Sequence, residues 1–264
     1  MSLQVHASGT LAILSALAEE QAGLLEQLQG AERSLHAGRE FWQGHFDGFP
    51  VVLALSRIGK VAAATTAVAL IERFGVRQIV FTGVAGGVGA GVQVGDVVVG
   101  TGYVQHDLDA SPLFPRYQIP LTGQTVLAAD AGLVDALVAA CDAGLHGLQH
   151  AGRVPVVHQG LIASGDRFVN GAEETRRIVE ALRSHGHAPL AVEMEGAAVA
   201  QVCLDYGLPF AAVRTISDRA DDMAHVDFPE FVRDVARVFA QRIMAALVRT
   251  QQDRARLQLS QPRR

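Results

Sequence analysis

The chain has 264 residues, 49% of them hydrophobic and 19% charged, the balance of a core-rich soluble protein with room for one large α/β domain. Its net charge of -5 supplies no basic field for nucleic acid, and its two cysteines, Cys141 and Cys203, lie in apolar helical patterns without metal or redox spacing. The apolar run Leu11 to Leu17 is too short to span a bilayer and lacks a basic leader, so a cytoplasmic location without a membrane partner is expected.

No linker-like segment divides the sequence, so residues 1–264 are expected to form one domain, with 1–9 and 251–264 flexible. Thr10 to Ala16 is predicted as a buried strand. It runs through Leu17-Ala18-Glu19-Glu20 into a helix with Leu24, Leu25 and Leu28 on one side. Glu20 therefore sits at a strand-to-helix junction, a place where the helix dipole alone also favours an acid. Phe41 to Phe46 and Val51 to Leu55, separated by Asp47-Gly48, read as an antiparallel pair. The loop Ser56 to Lys60 opens a helix over Val61 to Arg73 that Gly75 ends. Gly59-Lys60 is not a phosphate loop, because the upstream glycine and the following hydroxyl residue are missing.

Gln78 to Thr82 is a buried strand feeding the loop TGVAGGVGAG, where five of the nine residues from Gly83 to Gly91 are glycine. Without Cβ atoms such a loop lets backbone approach a flat ligand, but the spacing is not that of a dinucleotide fold. Val94 to Val99 and Tyr103 to His106 continue the sheet. His106, Asp107 and Asp109 read as surface hydrogen-bonding groups, since no second ligand cluster accompanies them to make a metal site. Asp130 to Cys141 is a helix, and His146 and His150 are expected to be exposed. Val154 to Ile162 is a strand ending in Ala163-Ser164-Gly165-Asp166-Arg167-Phe168-Val169. His225, Asp227, Phe228 and Phe231 precede a final amphipathic helix to about Val248, and the polar stretch Gln251 to Arg264 is expected to be disordered.

The stretch Leu190 to Asp222 carries the densest chemistry. It parses as a strand (Leu190 to Val192), a small-residue helix (Gly196 to Tyr206), a Gly-Leu-Pro turn and a strand (Phe210 to Ile216). Ligands collect beyond the carboxyl ends of parallel strands, and here those ends carry Glu193-Met194-Glu195 and Ser217-Asp218. Both strands are fully apolar, as in a sheet covered on both faces, so acids at their tips meet solvent or a site.

VEMEGAAVA (192–200) followed by VRTISD (213–218) resembles the signature of the purine nucleoside phosphorylase and nucleosidase superfamily, most closely its 5'-methylthioadenosine/S-adenosylhomocysteine nucleosidases. The resemblance implies a single three-layer α/β domain, its central mixed and partly barrel-like sheet flanked by helices, acting as a homodimer on a small purine nucleoside without cofactor or metal. It assigns Asp218 to protonating the purine, Glu20 to activating water, and Met194 and Glu195 to the ribose hydroxyls, with Glu193 beside them. Phe168 stacks on the purine and the backbone of Val169 reads its edge. Ala85 and Gly86 lie along purine and ribose, and Ile58 and Phe228 near the 5' substituent. Arg214 orients Glu20 or the water, or is a plain strand-end arginine. Val84 departs from the superfamily's usual hydroxyl; a valine gives phosphate no hydrogen bond, which favours water as the nucleophile.

Breaking an N-glycosidic bond calls for an acid to protonate the leaving purine and a carboxylate to hold water on the opposite face. An aspartate of ordinary pKa about 3.9 must be raised to serve as that acid, and Ser217 and neighbouring carboxylates are the candidate influences. Phosphorolysis, or hydrolysis of another purine nucleoside, is the alternative within the superfamily. A nucleoside-binding protein without catalysis is the alternative outside enzymology.

Overall fold

The computed structural model describes residues 9–220 and 228–260, and so leaves His225 and Asp227 outside the described residues. Ten strands form one mixed sheet: β1 (Leu11–Ser15), β2 (Gln29–His36), β3 (Arg39–Phe46), β4 (Phe49–Leu55), β5 (Gln78–Gly87), β6 (Val97–Gln105), β7 (Leu127–Ala128), β8 (Val157–Ser164), β9 (Pro189–Glu193) and β10 (Phe210–Asp218). Starting from β10 the order is β10-β6-β8-β9-β5-β1-β4-β3-β2, and β10 also pairs with β5. The strands β5, β9, β8, β6 and β10 therefore close on themselves, with β1, β4, β3 and β2 leaving as a wing. This is the partly barrel-like mixed sheet that the resemblance implies.

The strand residues bury alternately to two sides, as the period of two demands. Ala12 and Leu14 join one apolar cluster with Ala63, Ala67 and Leu70 of α2 (Lys60–Phe74) and Ala197, Ala200 and Cys203 of α5 (Gly196–Tyr206). Leu11 and Ile13 join the other, with Leu24 of α1 (Ala18–Leu25), Leu133, Leu137 and Cys141 of α3 (Ala131–Gly144), and Ile243 and Leu247 of α7 (Arg237–Ser260). Helices thus cover both faces. A short α6 (Phe228–Phe231) and one π-helical turn (Val232–Ala236) lead into α7. Asp47 and Gly48 both take positive φ, +48° and +85°, the two-residue turn that joins β3 to β4.

Several expectations are corrected. β9 and β10 are not a parallel neighbouring pair: β9 runs antiparallel to β5 while β10 runs parallel to it, so the two point opposite ways. TGVAGG is not a loop but the second half of β5. His106 is buried rather than on the surface, and its Nε2 has no hydrogen-bond partner among the described residues. His150 is half-buried with its ring edge-on to Phe231 at 5.4 Å. The last helix runs past Val248 to Ser260. β2 and α4 (Ala172–Ser184) were not anticipated: β2 is a polar edge strand, and α4 buries only Val179 and Leu182.

Candidate active site

The site originates in how β5 is shared. β10 pairs with one edge of β5 from Ile79 to Gly86, so β1 and β9 must use the other. β1 pairs with Gln78 to Phe81 and β9 with Gly86 and Gly87, running toward each other. Between their ends, Thr82 to Ala85 have no strand alongside on that edge, and the residues that follow β1 and β9 bend into this opening. It forms a cavity of about 760 Å³ counted with its open mouth, the size class of sites for small organic ligands.

Glu20 enters from the β1 side. As the third residue of α1 it folds back onto the helix start, where Oε2 accepts the amides of Ala16 and Leu17 at 2.9 and 3.0 Å. This is the glutamate half of a capping box. Its Oε1 accepts the amide of Val84 at 3.0 Å. A Cβ at Gly83 would lie 3.2 Å from Glu20 Oε1, close enough that the carboxyl would have to give by a few tenths of an ångström. Burial pushes the Glu20 carboxyl above its ordinary pKa, although the three amides and the charge of Arg214 pull it down. A dipole partner and a cavity-lining acid are thus one and the same residue.

Glu193 and Glu195 enter from the β9 side. Glu193 meets Arg214 of β10 at 2.8 Å and accepts the Gly196 amide at 2.8 Å with Oε2 and 3.0 Å with Oε1. The hydroxyl of Ser164 also donates to it, while accepting the Ala197 amide at 2.8 Å. Glu193 is therefore committed to the start of α5 and to Arg214. Arg214 is no strand-end surface residue: it is 1% exposed, donates to the carbonyl of Phe81 at 2.9 Å and lies over that ring at 4.1 Å. Glu195 is likewise buried and accepts the Gly59 amide at 2.8 Å. Burial, then the charge of Glu193, pushes its carboxyl up to about 8.

Asp218, at the end of β10, completes the wall beside Gly86. Ser217 donates its hydroxyl to Asp218 Oδ2 at 2.6 Å, and the Ala220 amide donates to Oδ1 at 2.7 Å. A Cβ on Gly86 would come within 3.0 Å of Oδ1 and 2.9 Å of the Ala220 Cβ. Ala85, Met194 and Val169 line the interior. At the mouth stand Ile58 and Phe168, 58% and 43% exposed, with Phe228 edge-on to Phe168 at 6.0 Å. Every residue singled out in the sequence for this site borders this one cavity. Among the described residues, no group of three or more His, Cys, Asp or Glu side chains is placed to hold a metal.

The profile of the Phosphorylase superfamily matches residues 10–249. A 5'-methylthioadenosine/S-adenosylhomocysteine nucleosidase from Shewanella denitrificans is 37% identical over 239 residues, covering 90% of this chain and 98% of that protein. The chain belongs to this nucleosidase family. A solved nucleosidase from Neisseria meningitidis, in complex with methylthio-immucillin-A, is 35% identical with a TM-score of 0.83, covering 92% of this chain and 99% of that one. Futalosine hydrolase of Helicobacter pylori is 31% identical with a TM-score of 0.80, covering 92% and 98%.

The cavity also has wall residues that motif reading missed. Ala16, just after β1, Phe81, paired with β1 near its end, and Arg167, in the loop after β8, border it. No local pattern marks them. Val84, noted in the sequence as a departure from the superfamily, lines it as well, as does Leu17.

Proposed function

We propose that this chain hydrolyses the N-glycosidic bond of 5'-methylthioadenosine or S-adenosylhomocysteine and releases adenine. The observation that carries the reading is that Glu20, Glu195 and Asp218, from three separate elements, border one cavity. Asp218 donates a proton to the departing purine. Glu20, raised toward the range where a general base is effective, takes a proton from the water that meets the ribosyl cation. Glu195 holds the ribose hydroxyls, its two oxygens suited to accept from a vicinal diol. Met194 adds backbone contacts, Phe168 stacks on the purine, and Val169 reads its edge. Ala85 and Gly86 lie along the nucleoside, Ile58 and Phe228 cover its 5' group, and Ser217 orients Asp218. Arg214 and Glu193 act on this set as a pair from within the wall.

Water rather than phosphate is the nucleophile. The Val84 side chain cannot hydrogen-bond, and its amide is already taken by Glu20. A phosphate there would meet the Glu20 carboxyl, and the guanidinium of Arg214 in the same wall is already committed to Glu193 and to the Phe81 carbonyl. Likeness to a futalosine hydrolase favours a second reading, in which the same chemistry acts on a nucleoside with a different 5' group. The working form in this proposal is a cytoplasmic homodimer serving methionine salvage. Adenine release assayed with and without phosphate tests the reaction: equal rates are expected, and a phosphate requirement would replace hydrolysis by phosphorolysis.

A further inference from the structure

We propose that Lys60 is a positioning residue for the sugar end of the site, its ammonium clasping Asp107 and so locking together the loops that present Glu195, Ile58 and Phe168 to the cavity. Lys60 is the only lysine in the chain. Its Nζ donates to Asp107 Oδ1 at 2.6 Å and to Gln105 Oε1 at 3.1 Å, both where β6 ends. The other oxygen of Asp107 accepts the amide of Asp166 at 2.9 Å, in the loop that follows β8. Asp166 Oδ1 in turn accepts the amide of Lys60 at 2.7 Å. Three segments distant in sequence are thereby joined in a closed ring. Gln105 extends it to α5, donating to Gln201 at 2.9 Å.

The ring has a direct outlet to the site. Gly59, one residue before Lys60, donates its amide to Glu195 at 2.8 Å. Its φ is +94°, and a Cβ there would stand 3.0 Å from Asp166 Oδ1. The Gly59-Lys60 step is therefore pressed between two carboxylates, with one amide serving each. Ile58 precedes it and Arg167-Phe168 follow Asp166, and all three line the cavity. Removing the ammonium leaves the Asp107 carboxylate, which holds the Asp166 amide, without its counter-charge. Lys60 and Asp107 side chains are only 17% and 32% exposed, so water screens the pair incompletely. The junction then opens, and the Gly59 amide withdraws from Glu195.

The inference rests on the reading that this cavity holds the ribose of a nucleoside, and a double-mutant cycle separates the two. Lys60→Met, Lys60→Arg and Asp107→Asn are made in the wild type and in Glu195→Gln, and kcat and KM for methylthioadenosine are measured. Lys60→Met is expected to lower kcat/KM by about 10- to 100-fold, chiefly through KM, the scale of a misplaced binding group. In the Glu195→Gln background the further loss is expected to be under about threefold, since the group being positioned is already altered. Lys60→Arg should recover part of the activity, and Asp107→Asn, which breaks the clasp from its other side, should mimic Lys60→Met. Equal losses in both backgrounds, or no loss, overturn the role of Lys60.

If the wild type releases no adenine, the functional reading fails, and the cycle is read instead by thermal melting across the titration of Glu195 near about 8. Glu195 there faces Glu193, Arg214 and Glu20 as well as the Gly59 amide, which favours its ionised form. An upward move of that titration in Lys60→Met supports the clasp; an unmoved titration overturns it.

Discussion

Glu193 and Arg214 meet at 2.8 Å inside the cavity wall, each with a side chain only 2% exposed. An ion pair this deep is costly to break from one side, because the remaining charge stays buried without a partner. Arg214→Met is expected to lose about 3 to 5 kcal/mol of stability, measured by denaturant unfolding. Glu193→Gln keeps an acceptor at the start of α5 and should lose less. Equal and negligible losses would show that the pair does not hold the wall.

The glycines of β5 set a steric limit on the two carboxyls proposed to act in catalysis. A Cβ on Gly83 would touch Glu20 at 3.2 Å, and one on Gly86 would press Asp218 at 3.0 Å and Ala220 at 2.9 Å. Gly86→Ala should therefore damage turnover more than Gly83→Ala, with losses of about 10- to 100-fold for a sub-ångström misplacement. Circular dichroism and melting of the same variants separate misplacement from misfolding.

Much of this was legible in the chain because it is local. Apolar runs marked β1, β4, β5 and β10, Asp47-Gly48 marked a hairpin, and the acids of Glu193-Met194-Glu195 and Asp218 stand at strand ends. β2 escaped because Gln29 to His36 is a polar edge strand with no buried residue. The direction of β9 escaped for a different reason: a short apolar strand carries no mark of parallel or antiparallel pairing. The wall residues and the Lys60 ring depend on contacts as far as 136 positions apart, for which spacing has no signal.

Glu195 predicts a pH dependence of stability. Its folded pKa, about 8, lies above the ordinary value near 4.3. Between those two values the folded state holds a proton that the unfolded state has lost. The contribution is therefore full below about pH 4 and is lost progressively as pH rises toward 8. Glu195→Gln, which cannot ionise, should gain in melting temperature relative to the wild type as pH is raised over this window. A constant difference would mean that Glu195 titrates normally.

Val84 bears on the choice of nucleophile. Val84→Ser places a hydroxyl beside the amide that Glu20 occupies, and one hydroxyl does not offset the carboxylates around it. Adenine release by this variant is expected to remain independent of phosphate, measured by product quantification at fixed ionic strength. A phosphate-stimulated rate would make residue 84 the switch between the two reactions.

The central claim is that Asp218 delivers the proton on which departure of the purine depends. Its most direct test is free adenine released from methylthioadenosine by the wild type and by Asp218→Asn, both folded. Loss of a general acid predicts a fall of about 10²- to 10⁴-fold in kcat with binding retained. Equal rates from the two proteins would contradict it.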